Sequence, residues 1–156
     1  MRLWLLSALA AGVALAGCFG DDGNPADDPR SITLLAVEWK GTGQLASEPF
    51  PEASLGRATG GYGLRAPDDG GAWQAQAYRW DPGTVVVRSG ERIALEVFGV
   101  NGAFHDAEVE GHDAGFTVTR GAFTDVEFTA GGPGMYRIVC RTHPGSMDAW
   151  LVVLGR

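Results

Sequence analysis

The sequence predicts an all-β, antiparallel sandwich, and three observations predict it. From Trp73 onward, short runs rich in β-branched and aromatic residues follow one another. Several alternate with period two, as in Ile93-Ala94-Leu95-Glu96-Val97 and Phe123-Thr124-Asp125-Val126-Glu127-Phe128, the pattern of strands with one buried face. The breaks at Asp81-Pro82-Gly83, Ser89-Gly90, Gly111 and Gly131-Gly132-Pro133-Gly134 are turn chemistry, and no segment has helical amphipathic spacing. Many short strands divided in this way build two packed sheets.

A chain of 156 residues holds one domain with a real hydrophobic core. With 45% hydrophobic and 20% charged residues it has the balance of a packed protein. Twelve Lys plus Arg against nineteen Asp plus Glu give a formal charge of −7, which repels the phosphate backbone, so no nucleic-acid partner is expected.

The chain opens with Met1-Arg2 and an apolar stretch from Leu3 to Leu15, too short to span a bilayer as a stable helix, which reads as a secretory leader over residues 1–17. Leu15-Ala16-Gly17-Cys18 is similar to the bacterial lipobox, in which small residues admit the peptidase and the Cys thiol takes a diacylglyceryl group. Cys18 is therefore the expected lipidation site. A plain leader cut nearby, or a Cys18–Cys140 disulfide, is the alternative. Residues 18–30 are rich in Gly, Pro and Asp and read as a flexible tether. The folded domain is expected over residues 31–156, outside the cytoplasm and on the periplasmic or cell-surface side.

Residues 31–39 read as a first strand, and 41–71, rich in Gly, Pro, Ser and Asp, as a long surface loop insertion. The remaining strands are expected at Trp73–Trp80, Thr84–Arg88, Arg92–Val100, Ala107–Glu110, Gly115–Thr119, Phe123–Thr129, Met135–Cys140 and Ala149–Leu154. Trp73, Trp80 and Trp150 are expected to pack the core or its rim.

Chemistry concentrates in Tyr136-Arg137-Ile138-Val139-Cys140-Arg141-Thr142-His143-Pro144-Gly145-Ser146-Met147. A thiolate, an imidazole and a thioether at one strand end and the turn after it are donors that copper accepts in both oxidation states. A second imidazole is supplied by His105, in Val100-Asn101-Gly102-Ala103-Phe104-His105-Asp106. Taken singly, each has a structural reading: Cys140 as an inert core residue, His143 as part of a turn before Pro144, Met147 as a gap-filler. His112, in a Gly-flanked acidic turn, reads as an exposed loop residue.

Together these residues resemble the cupredoxins, over roughly Trp73 to Leu154. Trp80-Asp81-Pro82 followed by Val85-Val86-Val87-Arg88-Ser89-Gly90-Glu91 is also similar to the leading strand and turn of cytochrome oxidase subunit II and nitrosocyanin-like domains. The resemblance implies a Greek-key β-sandwich holding one copper ion, with His105, Cys140 and His143 as equatorial ligands and Met147 as the axial one. A lone cysteine departs from the dinuclear centre of oxidase subunit II. Asp106 stands where blue-copper proteins usually place an Asn that braces the ligand loop. The function implied is electron transfer between redox protein partners by a carrier tethered to the membrane through its lipid. Copper storage or delivery, and a catalytic red-copper-type site, are the alternatives. No Ser-His-Asp set, phosphate loop or zinc-protease motif supports a hydrolase or nucleotide reading.

Overall fold

The structure, a computed structural model, describes residues 28–51 and 62–156. Among them are ten strands and no helix: β1 (Arg30–Gln44), β2 (Tyr62–Arg65), β3 (Ala72–Asp81), β4 (Thr84–Arg88), β5 (Arg92–Gly99), β6 (Phe104–Val109), β7 (Ala114–Thr119), β8 (Phe123–Thr129), β9 (Gly134–Cys140) and β10 (Asp148–Leu154). They form two five-stranded sheets in the orders β2-β3-β1-β5-β8 and β4-β10-β9-β6-β7. The expected all-β sandwich is present, with one correction to its pairing. Each sheet carries one parallel pair, β1 with β5 and β4 with β10. The chain passes from β3 in one sheet to β4 in the other and back to β5, and crossovers of this kind allow strands distant in sequence to run in the same direction.

Period-two alternation places the core. Ile93, Leu95 and Val97 of β5, Val85 and Val87 of β4, Phe116 and Val118 of β7, and Leu151 and Val153 of β10 point inward as alternate residues. Each fully buried Leu, Ile or Val contributes about 1.5–3 kcal/mol relative to exposure. With so many such side chains closing the space between the sheets, the fold has a driving force independent of any metal.

Two sequence-based boundaries change. The strand expected to end at Trp39 runs on to Gln44, and the excursion expected to be loop over 41–71 contains the end of β1 and all of β2. Gly41-Thr42-Gly43 has no apolar alternation, so its strand conformation comes from pairing with β3, from Trp39↔Ala77 to Gln44↔Ala72. Local propensity yields here to the partner strand. Gly43 lies directly against the Trp73 ring, where a Cβ has no room. Trp73 and Trp80 are buried as expected, but Trp150 is 44% exposed because it falls on the outward phase of β10. The leader, Cys18 and the tether up to residue 27 lie outside the described residues.

Candidate metal centre

The inward row of β6 is His105, Ala107 and Val109. His105 was expected in the turn before a strand starting at Ala107. The strand instead starts at Phe104, and His105 pairs with Val118 of β7. His105 therefore occupies a core position and is 0% exposed. On the neighbouring strand Ala107 is paired with Cys140, the last residue of β9. The Arg141 amide then donates to the Asp106 carbonyl at 2.7 Å, carrying the ladder one step past the strand end. Cys140 and His105 thus face inward at the same pole of the sandwich. A register slip of one residue would turn either outward.

After Cys140 the chain turns through Thr142-His143-Pro144-Gly145 and closes on itself. The Met147 amide donates to the His143 carbonyl at 3.3 Å, and the Cys140 amide to the Met147 carbonyl at 3.1 Å. Gly145, at φ 89°, takes a left-handed conformation within this turn. The loop brings His143 back over Cys140 and buries the Met147 side chain completely.

His105, Cys140 and His143 place their donor atoms within 4.8 Å of one another. The separations are 3.3 Å between the two Nδ1 atoms, 3.7 Å from Cys140 Sγ to His143 Nδ1 and 3.9 Å from Sγ to His105 Nδ1. Bonds of about 2.0 Å to imidazole and 2.3 Å to thiolate, splayed at trigonal angles, put such atoms about 3.5 and 3.7 Å apart. The triangle has the size a first-row ion requires. Two imidazoles and one thiolate, with a thioether residue in the same loop, suit copper, and the single cysteine provides for one ion.

The electrostatics of the two histidines favour loading, and those of the cysteine oppose it. Burial holds both histidines below the ordinary imidazole range, and for His143 the neighbouring His105 adds to the effect. Both rings are neutral near pH 7, with lone pairs free. Burial pushes the Cys140 thiol above its usual range, so metal uptake must displace its proton. The tautomer of His105 is set by its other nitrogen: Nε2–H donates to the Asn101 carbonyl at 3.2 Å, leaving the Nδ1 lone pair directed into the site. Gly102, at φ 83°, makes this approach possible, since a Cβ there would lie 2.9 Å from His105 Nε2.

Several residues that brace the site were not singled out from the sequence. Asn101 clasps β1 by accepting from the Glu38 amide at 2.6 Å and donating to the Glu38 carbonyl at 2.9 Å. Tyr78 stacks on His143 with ring centroids 3.5 Å apart and planes 9° from parallel. Its hydroxyl donates to Glu38 Oε1 at 3.0 Å. Burial alone would raise the Glu38 pKa, but the hydrogen bonds from Lys40 and Tyr78 outweigh it and hold the carboxyl below its usual range. Trp80 meets the His105 ring edge-on from β3. The Asp106 backbone braces the loop after Cys140: its amide donates to Thr142 Oγ1 at 3.1 Å and its carbonyl accepts from the Arg141 amide. The Asp106 side chain points to the surface, near the guanidinium of Arg141. A signal for Glu38 was present in the sequence, since it continues the inward row of Leu34 and Ala36 as a carboxylate.

His112 stands apart, in the turn after β6. It is half-buried rather than exposed, set edge-on to Phe128 and Tyr136. Its Nδ1–H donates to the Glu110 carbonyl at 3.0 Å, and its Nε2 accepts from the Gly131 amide at 3.1 Å. Both nitrogens are occupied in holding two turns together.

No family model matches the chain, and no curated protein sequence matches it. Solved structures do. The copper nitrite reductase from Nitrosomonas europaea superposes over 83% of this chain and 42% of its own, with a TM-score of 0.53 and 17% identity. A heme-copper terminal oxidase matches over 49% of this chain and 56% of its own (TM-score 0.44, 15% identity). Auracyanin A, a blue copper protein from Chloroflexus aurantiacus, matches over 49% of this chain and 89% of its own (TM-score 0.42, 19% identity). The chain thus spans less than two thirds of the reductase and of the oxidase chain. The fold is the cupredoxin β-sandwich. Its His-Cys-His group lies at the pole where β6 begins and β9 ends.

Proposed function

We propose that the protein is a single-copper electron carrier, held outside the cytoplasm by a lipid on Cys18, with His105, Cys140 and His143 as equatorial ligands and Met147 as the axial one. The observation that carries this reading is the buried triangle of His105 Nδ1, Cys140 Sγ and His143 Nδ1 at 3.3–3.9 Å. Copper held there would supply the Cu(I)/Cu(II) couple.

The chain's own residues do the rest. Cys140 and His105 are 1% and 0% exposed, so water and small substrates are kept from these two donors. His105 is fixed by the β6–β7 ladder and Asn101, and Cys140 by the β6–β9 ladder. A shell so restrained changes little between oxidation states, which favours outer-sphere transfer over substrate chemistry. His143 is half-buried in a turn, with Pro144 and Gly145 exposed beside it. Its Nδ1 faces the other donors, so the opposite edge of the ring is the route to a redox protein docked at this pole.

Adding Cu(II) to the purified metal-free protein should give an intense thiolate-to-copper band at one ion per chain, bleached by ascorbate and restored by a mild oxidant. A colourless complex, or uptake of two ions at this site, would refute the assignment. For the anchor, Cys18→Ala is expected to leave the protein soluble in the cell's extracytoplasmic fraction, because a chain with a formal charge of −7 is not drawn to anionic lipid, and among the described residues no helix is long and apolar enough to cross a membrane. Fractionation checks this, and a variant still sedimenting with membranes would sink it.

A further inference from the structure

The two histidines are oriented by different means. An imidazole turns easily about its Cβ–Cγ bond, because that torsion has only broad preferences, so contacts must set the ring plane. His105 is fixed by a hydrogen bond from Nε2 to the Asn101 carbonyl. His143 lies in a turn beyond the end of β9, and among the described residues its only polar ring contacts are those of Nδ1 to the other two donors. What lies against its face is Tyr78, parallel to within 9° and 3.5 Å away.

Tyr78 is itself held. It sits directly across from Glu38 in the β1–β3 ladder, and its hydroxyl donates to Glu38 Oε1 at 3.0 Å. The other carboxylate oxygen of Glu38 is 3.0 Å from Lys40 Nζ, the one lysine in the sequence. The backbone of Glu38 is clasped on both sides by the Asn101 side chain, and the carbonyl of that same asparagine orients His105. The contacts form a continuous belt from His105 through Asn101, Glu38 and Tyr78 to His143.

We propose that Tyr78 is the positioning residue for His143, fixing the plane of its ring by stacking, and that Glu38 and Asn101 tie this stack to His105 so that β1 and β3 set the geometry of the pair. This rests on the copper reading for its consequence, the tuning of the metal, but its structural part stands without metal. A phenol fixed over a ligand imidazole, and hydrogen-bonded to a carboxylate, places electron density beside the site and favours the oxidised ion. Releasing the stack is expected to raise the reduction potential and to let His143 swing away.

The test compares wild type, Tyr78→Phe and Tyr78→Leu. In the copper-free proteins, proton NMR should show the His143 ring signals shifted upfield by the ring current in wild type. They should be nearly retained in the phenylalanine variant and move downfield in the leucine variant. In the copper-loaded proteins the potential should rise in the order wild type, Phe, Leu, and only Tyr78→Leu should take up added azide or imidazole with a change in the thiolate band. His143 signals and a potential indifferent to Tyr78→Leu would overturn the proposal. If that variant does not fold, Glu38→Leu replaces it: a smaller downfield movement with a raised potential supports the belt, and no movement overturns it. A wild-type protein that gives the NMR shift but no thiolate–copper band would refute the copper reading alone.

Discussion

Cys140→Ser is expected to abolish the thiolate-to-copper absorption while leaving a folded sandwich. The intense visible band of such sites belongs to the sulfur–copper bond, and Cys140 is the one cysteine in the donor triangle. A serine hydroxyl is a poor donor to copper, and one ion cannot keep its colour on two imidazoles and a weak thioether. The structural cost is small by comparison. Position 140 is buried, so an unpartnered hydroxyl there costs about 1–3 kcal/mol. The two imidazole nitrogens 3.7 and 3.9 Å from the sulfur offer acceptors that reduce the penalty. Against a typical net stability of about 5–15 kcal/mol, the variant folds. Visible absorption, with far-ultraviolet circular dichroism on the same sample, checks both halves: a persisting band removes the copper assignment, and an unfolded variant removes the claim that the core stands without the metal. Copper should accordingly raise the melting temperature of wild type and leave that of Cys140→Ser nearly unchanged, because only wild type gains ligand-binding energy in the folded state.

The sandwich was legible because its inward residues are apolar and alternate, as in Ile93, Leu95 and Val97. The Cys140-to-Met147 loop was legible because its donors lie within eight residues of one another. What pattern could not supply was the contact between distant segments. Glu38 and His143 are far apart in sequence and are joined only through Tyr78, once β1 and β3 have paired. Strand pairing likewise extends β1 through Gly41-Thr42-Gly43, where local propensity argues against a strand. His105 reads from the sequence as part of a turn because Asn101-Gly102-Ala103-Phe104 precedes it, whereas in β6 it is a histidine that interrupts an inward apolar row. The interruption is itself informative: the inward rows Leu34, Ala36, Glu38 and Val109, Ala107, His105 each end in a polar group at the same pole. A strand whose buried phase turns polar at one end marks the end that carries the chemistry.

That polarity of the strands gives the second large effect, a contrast between two histidines seven residues apart in sequence. His105→Ala removes a donor from the triangle, and the alanine cannot be replaced by another side chain, because the neighbouring inward residues are Ala107 and Val109. The blue band should be lost or converted to that of a site open to external ligands, and added imidazole should restore it in part by entering the space the ring leaves. His112→Ala should leave the spectrum and the copper stoichiometry unchanged. From His105 to Val109 the strand covers four residue steps at about 3.3 Å each, about 13 Å in all, and His112 lies in the turn beyond its far end, outside the donor triangle. It should instead cost stability, about 1–2 kcal/mol, through the lost bonds to Glu110 and Gly131 and the lost packing on Tyr136 and Phe128. Copper titration with thermal melts separates the two effects. A His112→Ala protein that loses the band while His105→Ala keeps it would mean that β6 is paired in the wrong register and that its inward face has been misassigned.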